Sequence, residues 1–176
     1  MPFVSVVKED EAGPEVRQRY EALRKRIGFL PNVFEALGRD LKMLDAQIAL
    51  GGATLADGAV PRVVKEQIGV AVSGLNTSSY CVALHMEFLR QFGIEKPIGR
   101  KLATDWPNAP VDDKVKALLR FADKLTRKPE DFEAADVEAV KAAGWDEAAI
   151  FETVMTVAFF NFVNRVSIGL GLVADF

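Results

Sequence analysis

The chain has 176 residues, of which 49% are hydrophobic and 27% charged, and we expect one globular domain over residues 1–176. A net charge of −3 argues against a protein that neutralises many nucleic-acid phosphates. The only cysteine, Cys81, excludes an internal disulfide and a zinc site with several cysteine ligands. A lone thiol also favours a reducing compartment, and we expect the cytoplasm.

The first half of the chain shows apolar residues at helical spacing rather than strand alternation. It predicts helices over residues 15–27 and 41–55, and a short helix between them after Pro31. Pro61 then opens a helix that the polar run 76–79 interrupts, and another helix follows to about Phe92.

In the second half, residues 94–110 carry three prolines and are predicted to form a connection. Helical spacing resumes over 111–127, 133–144 and 146–169. The apolar run 153–173 contains Asn161, Asn164 and Arg165, which favours a helix buried in a core or a subunit interface over a membrane span. The sequence therefore predicts an all-α bundle of roughly seven or eight helices.

A weak internal similarity relates the two halves. Residues 58–66 align with 144–152, each with a glycine eight residues before a glutamate at the start of an apolar helix. The alignment indicates either two weakly similar halves or two ordinary helix starts.

Cys81 and His85, the only histidine, lie four residues apart on a predicted helix and so share a face. With Ser78 as the N-cap, Cys81 falls in the first helical turn, where unpaired N–H groups and a nearby imidazole favour the thiolate. The alternative is a buried, unreactive cysteine that packs like a small apolar residue.

Glu66 lies in the preceding helix, which is otherwise mostly apolar. It is either a carboxylate that orients His85 or exchanges protons with it, or a solvated helix carboxylate, or the partner of Lys65 or Arg62 in an ion pair.

Eleven residues separate Glu66 from Ser78, two separate Ser78 from Cys81, and three separate Cys81 from His85. This spacing resembles the signature of the alkylhydroperoxidase D-like (carboxymuconolactone decarboxylase) superfamily. That signature is a glutamate, eleven residues, Cys-x-x-Cys, three residues and a histidine, so Ser78 replaces the first cysteine. Further segments, at 28–34, 118–125, 144–150 and 161–165, resemble the peroxidase-related branch of the superfamily.

The resemblance implies an all-helical fold, homo-oligomers such as trimers or hexamers, and reduction of small hydroperoxides. Cys81 would react with the peroxide, and His85 and Glu66 would relay its proton. Ser78, Tyr80 and Asn76 would support the site or bind substrate. An external thiol or a disulfide reductase would supply the electrons. We predict no cofactor, metal, nucleic-acid partner or membrane partner.

Ser78 departs from the pattern in a way that matters chemically, because a hydroxyl cannot condense with a sulfenic acid to form a disulfide. Three interpretations remain: a one-cysteine peroxidase with an external thiol, a protein that has lost redox turnover, or a serine introduced to trap one state. Two further functions compete with peroxide reduction. One is lactone decarboxylation by His85 and Glu66, and the other is a redox-inactive oligomeric scaffold or binding protein.

Overall fold

The chain folds into a helical bundle, described here over residues 2–174 of a computed structural model. No strand occurs in that range, so the all-α prediction is confirmed. Two single-turn 3₁₀ helices cover Trp106–Asn108 and Pro129–Asp131. The α-helices are Pro14–Ile27 (α1), Asn32–Leu37 (α2), Leu41–Thr54 (α3), Arg62–Leu75 (α4), Ser79–Gln91 (α5), Lys96–Asp105 (α6), Asp113–Arg127 (α7), Ala134–Ala142 (α8) and Glu147–Gly169 (α9).

The predicted number of helices is too small by one, because the described residues form nine. The additional helix is α6, which lies inside the segment predicted to be a connection. Pro97 occupies its first turn, where the missing proline N–H has no helical partner to lose. Pro107 lies beyond its end. The three prolines therefore bracket a helix rather than prevent one.

Helix α4 forms the centre of the bundle. All residues from 64 to 73 are buried, and α4 packs against α5, α6, α7 and α9. Its close approach to α6 depends on Gly74, because a Cβ there would lie 1.9 Å from the Ala103 carbonyl oxygen. A catalytic group on α4 is therefore held by packing on every side.

Lys65 and Glu152 join the start of α4 to α9. The Lys65 ammonium is buried, lies 2.9 Å from Glu152 Oε2 and donates to the Ala56 carbonyl at 2.6 Å. Glu152 also accepts hydrogen bonds from the N–H groups of Ala59 and Val60. Burial alone would raise the pKa of Glu152, but the Val60 and Lys65 hydrogen bonds lead the contributions that hold it below its ordinary value. The weak similarity between residues 58–66 and 144–152 stays a prediction.

Helix α9 is apolar on its exposed face as well as on the face that packs into the core. By length and composition alone it could cross a membrane, and 44% of its apolar window is buried inside the fold. Asp146 caps its start by accepting from the Ala149 N–H. Phe151 and Phe162 remain exposed on its outer face.

Candidate functional site

Cys81 lies in the first turn of α5, as predicted. Thr77 adopts a left-handed backbone, with φ of 57°, and reverses the chain after α4. Ser78 then caps α5, because its Oγ accepts from the Cys81 N–H at 3.4 Å. Ser78 N donates back to the Ser73 carbonyl at 2.9 Å. The turn between α4 and α5 thus fixes the backbone that carries the sulfur.

A second serine, Ser167 of α9, contacts the Cys81 sulfur. Its Oγ lies 3.4 Å from Cys81 Sγ and 2.9 Å from Ser78 Oγ, and it donates to the Asn164 carbonyl. The Val163 carbonyl oxygen lies 3.9 Å from Sγ on the same side. Sequence reasoning missed Ser167. Its only signal is a small polar residue in an apolar helix, far from Cys81 in sequence.

Glu66 and His85 form a tight buried pair. His85 Nδ1 lies 2.6 Å from Glu66 Oε2, and the Glu66 carboxylate is fully buried. An ionised carboxylate can only accept, so Nδ1 carries the proton and Nε2 keeps its lone pair. Nε2 makes no hydrogen bond within residues 2–174. The pair can therefore present a neutral imidazole that accepts a proton from a bound group.

Arg62, which is also on α4, faces the other oxygen of the Glu66 carboxylate. Its Nε lies 3.5 Å from Glu66 Oε1, one helical turn away, and neither of these two buried atoms has a hydrogen-bond partner within the described residues. Of the two expected cations, Arg62 pairs with Glu66, and Lys65 turns away to Glu152. Glu66 is not a solvated helix carboxylate.

Two aromatic rings hold the imidazole of His85. Phe160 meets it edge-on with ring centroids 4.6 Å apart, and Phe88 does so at 5.4 Å. Gly69 makes room for Phe160, since a Cβ there would lie 2.0 Å from the Phe160 ring. The imidazole thus has one polar partner and apolar walls, which fixes its orientation.

Cys81 and His85 share a cavity, but no hydrogen bond joins the sulfur to the imidazole among the residues the structure describes. Both side chains line the same cavity of about 270 Å³, roughly 6 Å apart along the helix axis. A group bound in the cavity would have to carry a proton between them. The lining includes Phe34, Leu84, Phe88, Phe92, Phe159, Val163 and Ser167.

The supporting residues predicted from sequence divide into two groups. Tyr80 lines the cavity, and its hydroxyl accepts from the Val33 N–H at 3.0 Å. Asn76 is outside the lining, and its amide instead donates to Asn161 and Asn164 of α9. Asn76 therefore ties the α4–α5 turn to α9. Within residues 2–174, no three His, Cys, Asp or Glu side chains cluster in a way that could hold a metal ion.

The site coincides with a known family pattern. Residues 42–97 match the model of the carboxymuconolactone decarboxylase family, a range that includes Glu66, Cys81 and His85. A solved structure from Ralstonia eutropha JMP134, described as an alkylhydroperoxidase AhpD core and a peroxidase-related protein, superposes with a TM-score of 0.92 at 26% identity. The match covers 99% of this chain and 92% of that one.

A peroxidase-related protein from Silicibacter sp. TM1040 superposes with a TM-score of 0.88 at 27% identity, over 95% of this chain and 88% of that one. The family model and these two structures together support the alkylhydroperoxidase D-like (carboxymuconolactone decarboxylase) superfamily, in its peroxidase-related branch.

The debrominase Bmp8 has a similar fold, with a TM-score of 0.82 at 17% identity over 98% of this chain and 92% of that one. At that identity the likeness concerns the fold alone. No curated protein matches the sequence significantly. At family level, the fold supports an antioxidant or peroxidase-related function.

Proposed function

We propose that this protein reduces organic hydroperoxides with Cys81 as the reacting thiol and an external thiol as the reductant. The observation that carries the proposal is one cavity lined by both the Cys81 sulfur and the imidazole that Glu66 holds at 2.6 Å. That sulfur lies in the first turn of α5 and 3.4 Å from the Ser167 hydroxyl oxygen.

The proposed reaction has two stages: the peroxide oxidises Cys81, and an external thiol then reduces it. The Cys81 thiol loses its proton to His85 through an oxygen bound in the cavity, and the sulfur attacks the outer oxygen of the peroxide. The O–O bond breaks, and the alkoxide takes the proton and leaves as the alcohol, so that Cys81 becomes a sulfenic acid. One external thiol then displaces water to form a mixed disulfide. A second thiol releases Cys81 and leaves as the oxidised disulfide.

Mass spectrometry after treatment with cumene hydroperoxide tests this proposal. We expect wild type to gain one oxygen that a sulfenic-acid reagent traps, and a small thiol to restore the free cysteine with alcohol formed. Cys81→Ser serves as the control and should form no alcohol. A wild-type protein that neither gains oxygen nor consumes peroxide would overturn the proposal and favour a redox-inactive scaffold.

Lactone decarboxylation is a second candidate, favoured by one observation. The Glu66–His85 pair is complete without Cys81, because no hydrogen bond links the imidazole to the sulfur in the described residues. Acid–base chemistry by that pair would persist in Cys81→Ser, whereas peroxide reduction would be lost. Turnover of a carboxylated lactone by both wild type and Cys81→Ser would therefore support the lyase.

We further propose that the protein is cytoplasmic and assembles into a homotrimer or hexamer through the outer face of α9. Phe151 is 66% exposed and Phe162 is 41% exposed. Met155 and Ala158 lie between them on the same face, which leaves an apolar stripe open to a partner copy. Sedimentation of wild type and Phe162→Glu tests the assembly. A monomeric wild type would refute it, whereas dissociation of Phe162→Glu alone supports it.

A further inference from the structure

The cavity that contains Cys81 carries positive charge without a balancing carboxylate in its lining. Two guanidinium groups, Arg26 and Arg62, line it beside the apolar wall. Among the described residues, no Asp or Glu is part of that lining. A neutral alkyl hydroperoxide has no charged group for either arginine to bind. The proposed reaction alone therefore does not explain why two arginines line the cavity.

Arg62 has guanidinium N–H donors that do not face Glu66. Its side chain is 41% exposed and lies over the Phe92 ring, with Cζ 5.7 Å from the ring centroid. Its carboxylate neighbour, Glu66, already gives its other oxygen to His85 at 2.6 Å. A guanidinium has five N–H donors, and Glu66 faces only its Nε, at 3.5 Å. The outer edge of Arg62 is thus available to a ligand.

Arg26, in the last turn of α1, is the second guanidinium of the cavity lining. It is exposed and makes no hydrogen bond or ion pair to any residue in 2–174. A Cβ built on Gly52 of α3 would lie 3.7 Å from its Nη1, so its guanidinium extends across α3 beside the cavity. Arg24, two residues earlier, differs because it pairs with Glu9 and does not line the cavity.

The positions along α5 separate the charged end of the cavity from the sulfur. Phe92, under Arg62, follows Cys81 by eleven residues, which is roughly 16 Å along a helix axis. The aromatic rings of Phe88 and Phe159 also line the cavity. A ligand that reaches both ends therefore has an apolar body with one polar group at each end.

We propose that the cavity binds organic hydroperoxides that carry a carboxylate, with the peroxide at Cys81 and the carboxylate between Arg62 and Arg26. This inference rests on the proposed peroxidase function and adds its substrate class. Guanidinium groups bind carboxylates through paired, charge-assisted hydrogen bonds. The apolar body replaces water along the aromatic wall.

A matched pair of substrates tests the inference. The rate of Cys81 oxidation is measured with 12-hydroperoxydodecanoate, whose extended chain is long enough for the separation between Cys81 and Phe92, and with its methyl ester. We expect wild type to favour the carboxylate about tenfold at low salt, and added salt to shrink that preference. The preference should fall severalfold in Arg62→Gln and in Arg26→Gln. Arg24→Gln, which removes the same charge outside the cavity, should keep it.

A binding experiment keeps this inference separate from the peroxidase proposal. Calorimetry compares 4-isopropylbenzoate with 4-isopropylbenzamide, neither of which can react with the thiol. Tighter benzoate binding that is lost in Arg62→Gln supports the subsite even if no peroxide oxidises Cys81. Equal binding of both compounds, with oxidation equally fast for both peroxides, would overturn the substrate class and leave the peroxidase intact.

Discussion

Replacing Glu66 with glutamine tests the proton relay most directly. The carboxylate of Glu66 holds His85 in the tautomer whose Nε2 can accept a proton. A glutamine can accept from Nδ1 only through a neutral oxygen, and its amide can also donate to Nδ1, so the tautomer that leaves Nε2 free is held less strongly. Side-chain volume hardly changes, so the cavity and its apolar walls keep their shape.

The size of the effect follows from the 2.6 Å contact between Nδ1 and Oε2. A hydrogen bond to a charged group contributes about 1.5–3 kcal/mol, against about 0.5–1.5 for a neutral one. The difference of about 1.4 kcal/mol corresponds to roughly a tenfold slower step. We therefore expect Glu66→Gln to oxidise Cys81 about ten times more slowly than wild type at neutral pH.

Glu152→Gln is the matched control. Glu152 is likewise a carboxylate that pairs with a basic side chain, but its partners are Lys65 and the N–H groups of Ala59 and Val60, which lie outside the cavity lining. Both variants should unfold at lower temperature, and only Glu66→Gln should lose oxidation rate. The assay counts the free thiol under excess cumene hydroperoxide. Equal slowing in both variants, or none in Glu66→Gln, would refute the relay.

Three further predictions concern other parts of the fold. Ser78→Cys should form a disulfide with Cys81 after peroxide, seen as a mass loss of two hydrogens, and should lose about 1 kcal/mol of helix capping. Gly69→Ala should destabilise the fold by about 1–3 kcal/mol in thermal unfolding, because its Cβ would lie 2.0 Å from the Phe160 ring. Burial raises the pKa of Tyr20 to about 12 from 10.0. The contribution of the neutral phenol to the free energy of unfolding is therefore fully present below pH 10 and is lost as pH rises towards 12. Denaturant titrations should show this loss of stability at alkaline pH in wild type and not in Tyr20→Phe.

The local part of the site could be predicted from sequence. A cap, a first helical turn and an i,i+4 pair are set within a few residues, so Ser78, Cys81 and His85 follow from spacing alone. Glu66 required the family pattern, since its burial and its contact with His85 depend on how α4 packs against α5.

The rest depends on contacts between distant segments. Ser167 reaches Cys81 across 86 residues, and Arg26 reaches the cavity from α1. An arginine in a charged helix and a serine in an apolar one are common, so neither position stands out in the sequence. The absence of a direct Cys81–His85 hydrogen bond is likewise a matter of side-chain direction, which four-residue spacing leaves open.

Ser78 changes the sulfur's surroundings as well as removing a second thiol. The Ser167 hydroxyl has one proton, which the Asn164 carbonyl accepts at 2.9 Å, while Cys81 Sγ lies at 3.4 Å. Ser78 Oγ accepts from the Cys81 N–H, so its own proton is free for Ser167 Oγ at 2.9 Å. Ser167 can then turn its proton towards a thiolate. A cysteine at 78 would be a weaker donor to Ser167, so the serine that prevents an internal disulfide also strengthens the chain of hydroxyl contacts that ends at the Cys81 sulfur.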